Sequence, residues 1–161
     1  MPAAVVIGPE LQQKKNLVPR SKPRTLVVDD SLTILHAICA LLEHHEVVNV
    51  VGRAESGEET VDATLELDPD LVLMDADMPG MSGLRASLVL SQIRPETRVV
   101  LMTMDKSPEV RRAGSSCGAY AVIYKPRFLS ELTELLHQDS TGSRQPAEAA
   151  QGTGTIMGEA S

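Results

Sequence analysis

Five short apolar runs punctuate the middle of the chain: Thr25-Leu26-Val27-Val28, Val47 to Ala54, Leu71-Val72-Leu73-Met74, Val99-Val100-Leu101-Met102 and Ala121-Val122-Ile123-Tyr124. They are rich in branched residues and mostly apolar on both faces, as strands of a parallel sheet covered on both sides should be. Helical stretches lie between them. Leu35, Ile38, Cys39 and Leu42 recur at i, i+3, i+4, i+7, the period of one buried helix face. Val61, Thr64 and Leu65 begin a second stripe, Leu84 and Leu88 a weaker third. Val110, Ala113, Gly114 and Cys117 form a fourth of small residues, and Phe128, Leu132, Leu135 and Leu136 a fifth. Start signals agree: Ser56 with Glu59 makes a capping box, and Ser107-Pro108 an N-cap followed by proline. Five strands alternating with five helices predict an α/β fold with a five-stranded parallel sheet, doubly wound; so few units do not close an eight-stranded barrel.

Composition sharpens this picture in three ways. Aromatic residues are only 2% of the 161, so aliphatic side chains must fill the core. The net charge of -7 disfavours a nucleic-acid surface, which needs clustered Lys and Arg. Cys39 and Cys117 are far apart and lack close metal-motif partners, so both read as small buried residues. No run is long enough to span a bilayer and no secretory layout is seen, so a cytoplasmic location is the expectation. Residues 1–24 read as a flexible leader ending in basic residues, 25–138 as the folded domain, and 139–161 as a disordered Gly/Ser/Ala-rich tail. Adjacent His44 and His45 suit a helix C-terminus better than a chelate.

In open α/β sheets, sites form at the carboxyl ends of strands. There the first run ends in Asp29-Asp30, the third in Asp75 with Asp77 two residues on, the fourth in Thr103 and the fifth in Lys125-Pro126. Three carboxylates in one crevice repel each other unless a cation intervenes. An all-oxygen donor set suits Mg²⁺ or Mn²⁺. Lys125 adds a compact positive charge and Thr103 a hydroxyl. Phosphoryl transfer needs an in-line nucleophile and positive charge around the equatorial oxygens, and a carboxylate can be that nucleophile. Asp75 is the best candidate, because it ends the middle run and opens the turn-rich loop Asp77-Met78-Pro79-Gly80-Met81-Ser82-Gly83. Singly, each of these residues reads as an ordinary turn or cap. Jointly, five at one sheet edge read as a site.

Those segments, with Gly118-Ala119 leading to Lys125-Pro126, resemble the receiver domain of two-component response regulators over roughly Thr25 to Gln138. The resemblance implies a flavodoxin-like sheet in the order 2-1-3-4-5 and Asp75 as phosphoacceptor. It implies Asp29 and Asp30 as the metal-holding pair, with Asp75 and the Asp77 carbonyl completing the protein's ligands. It implies Thr103 and Lys125 as phosphoryl contacts, and a cis bond between Lys125 and Pro126. The implied partners are a histidine kinase or phosphotransfer protein and a downstream protein, with neither nucleic acid nor membrane bound directly. A stand-alone receiver, monomeric or weakly dimeric, is the expectation.

Two positions depart from the family's pattern. The residue after the switch threonine, usually small, is Met104, expected to narrow access to the phosphoryl group. The position three before the lysine, often aromatic, is Val122, so the switching change is expected to pass through the fourth helix. Two other readings stay open: a haloacid-dehalogenase-like aspartyl phosphatase, suggested by Asp75-Ala76-Asp77, and a receiver-fold scaffold that is never phosphorylated.

Overall fold

The computed structural model describes residues 22–141. Five parallel strands, β1 (Arg24–Val28), β2 (Asn49–Ala54), β3 (Leu71–Asp75), β4 (Arg98–Thr103) and β5 (Ala121–Tyr124), form one sheet in the order β2-β1-β3-β4-β5. Five helices connect and follow them: α1 (Leu32–His44), α2 (Gly57–Leu67), α3 (Gly83–Ile93), α4 (Pro108–Ser116) and α5 (Phe128–Thr141). This is the doubly wound sheet that the alternation predicts, in the flavodoxin-like order that the family resemblance implies.

Strand pleating sorts the core into two layers. Val27, Leu73, Val100 and Met102 face α1 and α5, meeting Leu35, Ile38, Leu42, Phe128 and Leu132. Leu26, Val28, Val72, Met74 and Leu101 face the other way, toward Ala86 and Leu90 of α3, with Val61 and Leu67 of α2 packed at the margin. Most of these strand residues are fully buried, so β1, β3 and β4 are apolar on both faces. The edge strand β2 is only partly buried.

The caps match the sequence. Ser56 Oγ accepts from the Glu59 amide at 3.1 Å, while the Glu59 carboxylate accepts from the Glu55 amide at 2.8 Å, one residue before the cap itself. Proline opens α4 after Ser107, though the Ser107 side chain makes no cap hydrogen bond. Helix α1 ends at His44 with His45 as C-cap.

Two helix faces differ from expectation. In α3, Leu88 is 43% exposed, and the helix buries Gly83, Ala86, Ser87 and Leu90. Small residues let α3 lie close to the sheet, and Ser87 Oγ donates to the Cys117 carbonyl at 3.1 Å. In α2, Leu65 is exposed while Thr60 and Thr64 are buried. Their hydroxyls donate to the carbonyls of Ser56 (2.6 Å) and Thr60 (2.7 Å), which satisfies them within the helix.

The last helix runs to Thr141 and the first strand starts at Arg24, so order extends past both expected domain boundaries. The rest of the expected leader and tail, 1–21 and 142–161, lies outside the described residues. Asp139 explains the extra helical turn: it accepts from Arg98 Nη1 at 2.7 Å and from the Tyr120 hydroxyl. Arg98 also stands over the Tyr120 ring, 5.4 Å from its centroid. These contacts tie the end of α5 to β4 and to the residue before β5. Asp139→Ala removes the carboxylate that the partly buried Arg98 guanidinium and the Tyr120 hydroxyl share, and is expected to cost about 1.5 kcal/mol in urea unfolding. A loss below about 0.5 kcal/mol would show that the last turn does not depend on this clamp.

Candidate metal and phosphoacceptor site

Asp29, the residue after β1, and Asp75, the last of β3, sit on adjacent paired strands at the carboxyl edge of the sheet. Carboxylate oxygens of Asp29, Asp30 and Asp75 lie within 4.8 Å of one another. Asp29 and Asp75 are buried and Asp30 is exposed. The side chain of Asp77 is also exposed and its carboxylate is not in this cluster; the part expected of Asp77 uses its main-chain carbonyl.

Each buried carboxylate splits its oxygens between two tasks. Asp29 Oδ1 accepts from the Ser31 amide at 2.9 Å, and Asp75 Oδ1 from the Asp77 amide at 3.0 Å. These short-range bonds are Asx turns, the local preference of Asp at a strand end. The two Oδ2 atoms face Lys125, whose Nζ stands 2.5 Å from Asp29 and 3.1 Å from Asp75. Asp29 Oδ2 is buried and ion-paired to that ammonium. Three carboxylates with oxygens within 4.8 Å of one another carry more negative charge than one lysine offsets, and this all-oxygen donor set fits a hard divalent cation such as Mg²⁺ or Mn²⁺.

The electrostatics follow from burial. Desolvation pushes the Asp75 carboxyl above its usual range. The Asp77 amide and the Lys125 ammonium pull it back only in part, and the Asp29 charge adds to the rise. For Lys125, burial pulls the ammonium down, but the facing Asp29 and Asp75 carboxylates outweigh it and hold it above the ordinary lysine value. The site therefore keeps a positive lysine between two acids, one of them reluctant to ionise without a cation.

Thr103, the last residue of β4, is buried, and its Oγ1 accepts from the Asp105 amide at 3.0 Å. That bond occupies a lone pair and leaves the hydroxyl proton available to donate. Asp105 Oδ1 in turn accepts from the Ser107 amide at 2.8 Å, so the β4–α4 loop is a chain of side-chain turns. Met104, expected to narrow access, is 64% exposed and belongs to neither apolar core cluster. Val122 packs against α4: a Cβ on Gly114 would lie 2.3 Å from Val122 Cγ2.

The cis bond expected between Lys125 and Pro126 is absent, since the described residues contain no cis peptide. Instead Lys125–Arg127 forms a 3₁₀ turn running directly into α5, with Pro126 in its first positions. Proline fits there because its φ is preset and its missing N–H is not needed. The loop is also held by the Tyr124 amide, which donates to Glu131 Oε2 at 2.8 Å. The sequence reading did not single out Glu131, though its place in the first turn of α5 was a usable signal.

A doubly wound sheet with an acid cluster and a bridging lysine at its strand ends defines the class: an α/β protein working at the carboxyl edge of a parallel sheet. Comparison with known proteins narrows it. Residues 25–137 match the response regulator receiver domain, and the chain belongs to that family. The response regulator GacA of Pseudomonas viridiflava is 35% identical over 121 residues, covering 75% of this chain and 56% of that protein. A protein-glutamate methylesterase/protein-glutamine glutaminase of Methanococcoides burtonii is 33% identical over 113 residues, 70% of this chain and 32% of that one. This chain thus spans little more than half of the first relative and a third of the second. Among solved structures, the response regulator domain of Thermotoga maritima CheB is similar with a TM-score of 0.62 and 26% identity, covering 76% of this chain and 98% of that one. A LuxR-family two-component response regulator from Aurantimonas sp. SI85-9A1 gives 0.69 and 25%, covering 76% and 87%.

Proposed function

We propose that this receiver takes a phosphoryl group onto Asp75 from a phosphohistidine of a histidine kinase or phosphotransfer protein, and passes the signal to a protein partner through a change of shape. The observation that carries the reading is the Lys125 ammonium standing between Asp29 and Asp75 beside the three-carboxylate cluster. Asp29, Asp30, Asp75 and the Asp77 carbonyl would hold Mg²⁺ or Mn²⁺, which when bound supplies positive charge to the transferring phosphoryl oxygens. The chain's own groups do the rest. Asp75 is the nucleophile, kept in one orientation by the Asp77 amide. Lys125 moves from a carboxylate to a phosphoryl oxygen. Thr103 donates its free hydroxyl proton to another.

Several features support a signalling phosphoacceptor that is not a turnover enzyme. Family membership favours it over the aspartyl phosphatase, and the intact set of Asp75, Thr103 and Lys125 favours it over a silent scaffold. The negative net charge supports a protein partner over nucleic acid. No helix among the described residues is long and apolar enough to cross a membrane, in keeping with a cytoplasmic location. With Val122 in place of an aromatic, the route outward runs through α4. That helix carries Gly114, Ser115 and Ser116, all poor helix formers, and is the least buried of the five.

Intact-mass measurement after acetyl phosphate and Mg²⁺ tests the proposal. Wild type gains one phosphoryl group and Asp75→Asn gains none. Equal labelling of both would move the nucleophile elsewhere, and failure of both with Mg²⁺ bound would favour the scaffold.

A further inference from the structure

Thr103 and Tyr124 are register partners on β4 and β5, and the residue after Tyr124 is Lys125. The two side chains assigned to the phosphoryl oxygens therefore stem from neighbouring strand ends. One contact joins the segments that carry them. Lys106, three residues beyond Thr103, folds back so that its Nζ stands 4.2 Å from the centroid of the Tyr124 ring. The same two residues line a narrow cavity of about 10 Å³ together with Thr103, Asp105, Arg111 and Val122. That volume holds a single water at most. A tyrosine ring cannot turn into it, and Val122 brings no ring of its own, so the Tyr124 ring serves here as a platform for the ammonium.

We propose that Lys106 and Tyr124 are positioning residues of this site: their contact clasps the Thr103 loop to β5 in the unphosphorylated protein and opens when Thr103 engages a phosphoryl group on Asp75. This rests on the role proposed above for Thr103. Strand order gives the direction. β4 lies between β3 and β5, so Asp75 and Tyr124 flank Thr103 from opposite sides. The loop moves as one piece, because Thr103 Oγ1 accepts from the Asp105 amide and Asp105 Oδ1 from the Ser107 amide, with Lys106 between them. A pull on Thr103 toward Asp75 therefore draws Lys106 away from a ring on the far side. Lys106 is exposed and Tyr124 half-buried, which keeps the attraction of ammonium to ring face modest, a bias of ~2–5-fold on the loop equilibrium. Such a bias sets the resting population and still yields to phosphorylation. Ser107 caps α4, so the opening passes directly to that helix.

Two measurements on the full chain test it, each on wild type, Lys106→Ala, Tyr124→Leu, the double variant and Lys106→Arg. The first is NMR titration with beryllofluoride, a phosphoryl analogue, at saturating Mg²⁺. Each single variant should bind ~3-fold more tightly than wild type, the double variant no more tightly than either single one, and Lys106→Arg, which keeps a cation over the ring, as wild type does. The second is amide exchange at Asp105 without the analogue. It should quicken ~3-fold in Lys106→Ala and in Tyr124→Leu, while β3 exchanges as before. Unchanged affinity in the single variants overturns the clasp. So does weaker binding, which would place the contact in the phosphorylated form, and so do gains that multiply in the double variant, which would mean that the two side chains act separately. If wild type itself binds no beryllofluoride, the phosphoacceptor reading fails, and exchange at Asp105 alone decides the clasp: quickening in both single variants sustains it, and no change rejects it.

Discussion

Lys125→Met is expected to destabilise the metal-free protein by about 2 kcal/mol near neutral pH and to slow phosphoryl uptake from acetyl phosphate by about 100-fold. Methionine keeps most of the aliphatic stem, so the change isolates the ammonium. Its removal leaves Asp29 and Asp75 facing each other with no cation from the protein. The figure is set below the range for a fully buried pair because the lysine side chain retains 13% exposure. The pH dependence has a definite sign. The folded state holds Lys125 above its ordinary value, so its stabilisation is complete below the unfolded lysine pKa of about 10.4. It disappears as pH rises through the folded value. The gap between wild type and variant should therefore close in the alkaline range and stay open at pH 7. Divalent cations should act in the opposite sense: without the ammonium, three carboxylates bind Mg²⁺ more tightly, and the rise in Tm on adding Mg²⁺ should be larger in the variant. A smaller rise would mean that Lys125 does not share the cation's carboxylates.

Gly83→Ala is expected to cost about 3 kcal/mol, near the top of the range for overpacking, and to impair phosphoryl uptake as well. Gly83 opens α3, and a Cβ there would lie 2.1 Å from the Asp75 carbonyl oxygen and 2.9 Å from Ala76 Cα. Both neighbours are backbone, so no side chain can swing aside. Gly83 also donates its amide to the Ala76 carbonyl at 3.0 Å, which ties the start of α3 to the residue after Asp75. Relief requires moving either α3 or the end of β3, and the second displaces Asp75. Arg85→Ala, at an exposed position two residues on, should stay within about 0.5 kcal/mol of wild type. A Gly83→Ala protein as stable as the Arg85→Ala control would show that helix and strand have room to part.

The strands and the site were legible for one reason. Strands buried on both faces leave unbroken apolar runs, and a parallel sheet brings the ends of those runs together. Asp29, Asp75, Thr103 and Lys125 could be placed at one edge without knowing any side-chain contact. Helix faces were harder. Ala86, Ser87 and Thr60 carry little hydrophobic signal, yet they face the core because close approach to the sheet favours small residues and local hydrogen bonds satisfy the hydroxyls. The end of α5 was missed because Gln138-Asp139-Ser140-Thr141 has no apolar period; Arg98, forty-one residues earlier, supplies the reason. The trans Lys125–Pro126 bond ran against a family expectation that no nearby residue of this chain supported.

The Arg98–Asp139–Tyr120 clamp has a counterpart at the same pole: Arg24 Nη1 and Nη2 reach the carbonyls of Asp68 and Leu67, each at 2.9 Å. Both sets of rivets are fastened where the strands begin, a full strand length from the acids and lysine where they end. Toughness and responsiveness are thus lodged at opposite rims of one scaffold. Selection or engineering can harden the base against heat while leaving the working rim free to be retuned.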